Sequence, residues 1–165
     1  MMTKLSCDVI TAMDGRTVVT AESCTGGGIG AALTSVPGSS AVYKGGIICY
    51  TNLVKIQQLG VDPELLSREG AVCSAVAQQM AIGARKTLEA DIAVSVTGLA
   101  GPGGDDFGNP VGTVYIGYSD INKTFARKYL FSGNREKIRS QAVEAALVLI
   151  YECVTNKTYL KEDHL

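Results

Sequence analysis

The most constraining feature of this chain is a strand that runs into glycines and then into a helix. Thr17-Val18-Val19-Thr20-Ala21 is a β-branched run with the character of a buried strand. It leads into Glu22-Ser23-Cys24-Thr25-Gly26-Gly27-Gly28. The small residues that follow, Ile29, Ala31, Ala32 and Leu33, suit a helix packed closely on a sheet. Strand, glycine turn and helix in that order form the opening of a parallel α/β unit. They place the N–H groups of a helix start at the carboxyl edge of the sheet.

The rest of the chain extends the pattern. A short helix is expected from Lys4 to Met13, and Pro37-Gly38-Ser39-Ser40 breaks the helix after the glycine turn. Val42 to Thr51 reads as a strand with a glycine pair inside, a sign of a bulge or close approach. Asn52 is a candidate cap for a helix closed by Gly60, and Asp62-Pro63 opens another. Ser74 is a candidate cap for a helix from Ala75 to Leu88. Asp91 to Thr97 reads as a central strand, and a glycine-rich loop runs from Gly98 to Pro110. Val111 to Ser119 and Thr124 to Phe131 read as an antiparallel hairpin turning at Asn122-Lys123. Gly133-Asn134 opens a final helix to about Val154. The expectation is one domain over residues 1–165, three-layer α/β/α, with a mixed, mostly parallel sheet ending in an antiparallel hairpin.

Composition narrows the function classes. With 165 residues, 46% hydrophobic and 19% charged, the chain can bury roughly 70% of its unfolded surface. The net charge of -1 and scattered basic residues disfavour a nucleic-acid partner. No apolar run is long enough for a membrane span, and no signal-peptide core precedes Ser6. The odd count of 5 cysteines, with no CxxC pair, argues against disulfides and zinc. A cytoplasmic location follows as an expectation. The only histidine is His164, so histidine-based hydrolysis is disfavoured and another base is required.

Four segments carry candidate chemistry, each with a plainer alternative. Ser23 either presents a nucleophilic hydroxyl to a cleft or caps the following helix. Tyr50 and Lys55 either form a base pair for that serine, the lysine made neutral by burial, or are a packing tyrosine and a solvated charge. The loop Thr97-Gly98-Leu99-Ala100-Gly101-Pro102 either binds a ligand at the strand end or is a mobile surface loop. Arg135 and Arg139, one helical turn apart, either clamp an anion or pair with neighbours such as Glu136. Asp105 and Asp106 have no further ligand cluster, so no metal is expected. Gly26-x-Gly28-x-x-Ala31 matches a dinucleotide fingerprint only weakly, because the second strand supplies no acidic residue for a ribose. No cofactor is expected.

Taken together, Thr20 to Gly27, Pro37 to Ser40, Gly45-Gly46 with Tyr50-Thr51-Asn52 and Lys55, Val96 to Gly104, and Pro110 to Val114 resemble the CinA C-terminal domain family. The resemblance runs from about Arg16 to Glu152, with the motifs in the same order. Family members include nicotinamide-nucleotide amidases, which convert nicotinamide mononucleotide to nicotinic acid mononucleotide and ammonia without a metal. The resemblance implies Ser23 as catalytic serine with Tyr50 and Lys55 as partners. It implies a substrate site drawn from Glu22, Cys24, Thr25, Gly26, Gly27, Thr97, Gly98 and Gly101, with Arg139 ahead of Arg135 as the arginine. A small-molecule nucleotide is the implied partner, and a homo-oligomer is compatible with the sequence. A non-catalytic nucleotide-sensing module is the alternative. Some members carry a larger N-terminal domain resembling molybdopterin-binding enzymes, for which this chain is too short. The segment Asp105-Asp106-Phe107-Gly108-Asn109 departs from the Ser/Pro/Glu-type spacer of the family.

Overall fold

In the computed structural model, residues 2–160 are described; His164 lies outside them. Strands β1 (Val18–Glu22), β2 (Tyr43–Ile48), β3 (Ile92–Gly98), β4 (Thr113–Ser119) and β5 (Thr124–Leu130) form one sheet in the order β2-β1-β3-β4-β5. β1 lies parallel to both β2 and β3. β4 is antiparallel to both β3 and β5, so it alone runs against the other strands.

Successive side chains of a strand face opposite sides, and the central strands use both. Val18, Ile92, Val94 and Val96 join one core. Val19, Ala21 and Ala93 join another. The first core is covered by α1 (Met2–Ala12), α2 (Gly28–Thr34) and α6 (Arg135–Thr155), through Leu5, Val9, Ile29, Leu33, Leu147 and Ile150. The second is covered by α3 (Asn52–Leu59), α4 (Pro63–Glu69) and α5 (Ser74–Thr87), through Leu59, Leu65, Leu66, Val76 and Met80. Helices on both faces of a mixed sheet give the expected three layers.

Local chemistry explains most boundaries. Asn134 caps α6 by accepting from the Lys137 N–H at 2.9 Å. Asp62 caps α4 ahead of Pro63, and Gly60 closes α3 in the left-handed region at φ 67°. Three details differ from the sequence expectation. Thr51 caps α3, its hydroxyl accepting from Val54, which leaves Asn52 as the first helical residue. Cys73 sits at the cap of α5 with no side-chain cap bond, its thiol donating to the Gly70 carbonyl, and Ser74 is the first helical residue, its hydroxyl accepting from Gln78 one turn later. The hairpin turn is longer than Asn122-Lys123: the Asp120 carboxylate accepts from the N–H groups of both Asn122 and Lys123.

The glycine pair of β2 marks a real irregularity. Val18 is opposite Tyr43 but Val19 is opposite Gly45, so Lys44 is bulged out, and Gly45 takes φ 140°. The ends of β1, β2 and β3 meet at one edge of the sheet. The 3-10 turn at Ser39–Ala41 leads into the opposite end of β2.

Candidate active site

The site begins where β1 leaves the sheet. The Ser23 N–H donates to the Val96 carbonyl at 3.0 Å, extending the pairing to β3 by one residue. The chain then folds into two overlapping turns: the Gly26 N–H donates to the Ser23 carbonyl and the Gly28 N–H to the Thr25 carbonyl. Gly26 and Gly27 take φ 60° and 96°, conformations that glycine adopts without a Cβ penalty. α2 starts at Gly28 with Gly27 at its cap, so Ser23 is not the cap of this helix.

Glu22 takes that task. Its carboxylate is 1% exposed. It accepts from the Thr25 hydroxyl at 2.7 Å and from the N–H groups of Gly27, Ile29 and Gly30 at 3.0, 3.0 and 2.9 Å. An anion at a helix N-terminus is favoured by the orphan donors and by the helix dipole. The place that the sequence offers to a substrate anion is therefore filled by the chain's own carboxylate.

Lys55 reaches the same point from α3. It is 1% exposed, and its ammonium nitrogen lies 3.1 Å from Ser23 Oγ, 2.7 Å from the Cys49 carbonyl and 3.4 Å from the Tyr50 carbonyl. Among the described residues no carboxylate pairs with it. Burial pushes its pKa below the ordinary 10.5, and the neighbouring Cys49 and Cys24 thiols oppose this only in part. A neutral amine has two protons and one lone pair. With its protons on the two carbonyls, a neutral Lys55 can turn that lone pair to the Ser23 hydroxyl 3.1 Å away; the ammonium instead donates to it. Burial also pushes the Cys24 and Cys49 thiols up, each to about 11, which leaves both in the unreactive protonated form at neutral pH.

Ser23, Cys24, Tyr50, Lys55, Thr97, Gly98, Gly101 and Arg135 line one cleft of ≈ 280 Å³. Asn52, Ala71, Val72, Leu99 and Ala100 complete most of its wall. Thr97 is buried and donates to the Ala71 carbonyl at 2.8 Å, so it supports the wall. Tyr50 is 60% exposed, and its hydroxyl accepts from Arg135 Nη2 at 3.1 Å. The phenol makes no hydrogen bond to Ser23 or Lys55; Tyr50 meets Lys55 only through its main-chain carbonyl. Arg135 also donates to the Gly101 carbonyl. Among the other residues expected here, Glu22, Thr25, Gly26, Gly27 and Arg139 do not line the cleft. The Arg139 guanidinium instead donates to the Cys24 and Thr25 carbonyls, at 3.0 Å each. The arginine facing the cleft is Arg135, the reverse of the sequence preference.

The unusual segment Asp105–Asn109 is a braced loop. The Asp105 carboxylate accepts from the N–H groups of Phe107 and Asn109 and from the Asn109 amide, which also donates to the Val72 carbonyl. Its oxygens are spent on the loop itself. Among the described residues no cluster of three or more His, Cys, Asp or Glu is placed to hold a metal ion. Asn52 and the Ala71-Val72 segment are wall residues that sequence reasoning did not assign to the site. The signal for Asn52 was its place in the Tyr50-Thr51-Asn52 motif; Ala71-Val72 carried none.

Residues 3–154 match the family model described as the CinA C-terminal domain. This chain belongs to the CinA C-terminal domain family. A CinA-like protein of Thermosynechococcus vestitus is 54% identical over 121 residues, covering 73% of this chain and 29% of that protein. A putative competence-damage inducible protein of Halothermothrix orenii is 49% identical over 140 residues, covering 83% of this chain and 33% of that protein. This CinA domain thus spans about a third of the length of those curated relatives. Solved structures match nearly all of it. A CinA superfamily protein of Klebsiella pneumoniae superposes with a TM-score of 0.92 at 32% identity, covering 95% of this chain and 99% of that one. The competence/damage inducible protein of Agrobacterium tumefaciens gives 0.89 at 40% identity, covering 94% and 96%. No helix among the described residues is long and apolar enough to cross a membrane.

Proposed function

We propose that this CinA domain hydrolyses the carboxamide of nicotinamide mononucleotide to give nicotinic acid mononucleotide and ammonia, with Ser23 as nucleophile and Lys55 as base. The carrying observation is Lys55: a buried lysine with no carboxylate partner, 3.1 Å from a serine hydroxyl at the floor of a cleft. A structural lysine has no reason to be placed there, because burying an unpaired ammonium is costly.

The steps follow from the geometry. Ser23 Oγ attacks the carboxamide carbon while its proton passes to Lys55 Nζ. The developing oxyanion meets the N–H of Cys24, the cleft-lining residue that follows the nucleophile. Lys55 returns the proton to the leaving nitrogen, and ammonia departs. Water then enters, gives a proton to Lys55 and attacks the ester carbon. The carboxylate leaves and Ser23 recovers its proton. Tyr50 acts through its carbonyl on Lys55 and through its hydroxyl on Arg135, and is a wall and orienting residue rather than a relay. Arginine has five N–H donors, and the bonds to Gly101 and Tyr50 leave some of those of Arg135 for the substrate phosphate.

The test is ammonia release from nicotinamide mononucleotide without added metal, beside Ser23→Ala and Lys55→Met. Release by the native protein alone supports the reading. Equal release by Ser23→Ala sinks the nucleophile. No release, with binding retained in a thermal-shift assay, turns the reading to a nucleotide-binding module.

A further inference from the structure

We propose that Glu22 and Arg139 form a two-sided clamp that holds the Ser23–Gly27 turn in reactive geometry, so both are positioning residues for the reaction. The proposal rests on Ser23 being the nucleophile.

The turn accounts for its backbone groups almost completely. The Glu22 carboxylate draws in the N–H of Gly27, together with those of Ile29 and Gly30 and the Thr25 hydroxyl. From the other side, the Arg139 fork draws in the carbonyls of Cys24 and Thr25. The N–H groups of Ser23, Gly26 and Gly28 are spent on Val96, Ser23 and Thr25. Two donors remain, the N–H groups of Cys24 and Thr25. They follow the nucleophile directly and donate to no neighbouring residue.

The clamp is ionic on both sides. Charge-assisted bonds are shorter and stronger than neutral ones, and the carboxylate sits where the helix dipole favours it. A turn held from both sides does not have to reorganise as charge develops on the substrate oxygen. The arrangement also joins three elements: Glu22 ends β1, the glycines start α2, and Arg139 comes from the first turns of α6. The clamp accounts for residues that the sequence grouped with the substrate site but that do not line the cleft. They act on the substrate through Ser23 and Cys24, which do line it.

A glutamine at position 22 keeps the size and loses the fit. The carboxylate accepts at both oxygens, three bonds at one and one at the other. An amide has one acceptor oxygen, and its NH₂ must face a donor. Lysine at position 139 keeps the charge and loses the fork.

The experiment measures Glu22→Gln, Arg139→Lys and Arg139→Met against the native protein by three readouts. These are kcat and KM for ammonia release, the rate at which a fluorophosphonate labels Ser23, and amide hydrogen exchange at Gly27, Ile29 and Gly30. The clamp predicts that kcat falls about a hundredfold in Glu22→Gln while KM stays within about threefold. It predicts that labelling slows in step, that the exchange of those amides quickens, and that the acid limb of the pH profile, set by Lys55, does not move. Arg139→Lys should fall between native and Arg139→Met. A folded Glu22→Gln with native kcat and native labelling rate overturns the proposal, as does a loss confined to KM. If Glu22→Gln does not fold, Thr25→Val removes a single bond to the carboxylate and is held to the same criteria. A native protein that is labelled at Ser23 but releases no ammonia overturns the substrate assignment and leaves the clamp to be judged on labelling rates. A native protein that is not labelled at Ser23 overturns both.

Discussion

Lys55 is the residue on which structure and chemistry press hardest against each other. Burial lowers its pKa below 10.5 in the folded chain, while the unfolded chain keeps the ordinary value. Between the two values the folded state holds fewer protons than the unfolded state. Stability therefore rises with pH across that window and is lower on its acid side. Lys55→Met titrates in neither state. Its unfolding free energy relative to the native protein should be greatest at low pH and should shrink as pH rises toward 10.5. Urea unfolding of both proteins from about pH 6 to 9 checks the slope, and a constant difference would mean that Lys55 titrates normally. Activity carries the same signature. The rate should fall as pH drops through the lowered pKa, because only the free amine accepts the Ser23 proton. Cys24 behaves oppositely. Its thiol is 6% exposed and pushed up to about 11, so it stays protonated at neutral pH. Cys24→Ala should keep kcat within about threefold, and iodoacetamide at neutral pH should alkylate Cys24 slowly. Fast labelling that tracks loss of turnover would return Cys24 to the list of nucleophiles.

The elements matter through how they aim these residues, and α3 is the exposed case. It is 8 residues long, and its position depends on α5. Gly83 of α5 lies against the Leu59 carbonyl at the end of α3; a Cβ there would run into that oxygen. Backbone cannot yield as a flexible side chain can, so Gly83→Ala must push α3 outward and carry Lys55 away from Ser23. We expect a loss of about 1–3 kcal/mol in stability, with kcat falling further than the folded fraction does. Denaturant unfolding beside initial rates separates the two effects; native kcat in the folded variant would show that α3 is positioned from elsewhere. Strands and helices were largely legible in the sequence because each local signal agreed with its surroundings: β-branched runs for β1 and β3, Asp62-Pro63 for α4, Asn134 for α6. The cap of α3 was less legible, since Thr51 and Asn52 can both cap. The choice falls to whichever side chain reaches the Val54 N–H, and that is Thr51.

Across the whole molecule, legibility ends where distant segments meet. The glycine turn, the serine and the lysine could be read as chemistry, yet nothing local showed that Glu22 would fold back onto its own helix. Nor did anything local show which arginine faces the cleft. Arg135 meets Tyr50 across 85 residues of sequence, and Arg139 meets Cys24 across 115. Both pairings depend on where α6 crosses the sheet edge, a property of the assembled layers. The same layers leave two open sheet edges, β2 and β5, where unpaired backbone invites other chains. β2 is interrupted by the bulge at Lys44, whose ammonium donates to the Glu89 carbonyl at 2.8 Å. β5 has no bulge but carries exposed charge. Lys128 lies over the Tyr115 ring at 5.7 Å, between Ala126 and the 68% exposed Leu130 on one face of the strand. Without the ammonium, that face becomes a continuous apolar stripe beside free N–H and C=O groups. Lys128→Val should therefore self-associate as concentration rises, seen by light scattering after gel filtration, while Lys128→Thr, equally branched but polar, should elute as the native protein does. Identical elution of all three at every concentration would mean that Lys128 guards nothing. The edge would then be protected by its twist or by the crowding of Leu130 alone.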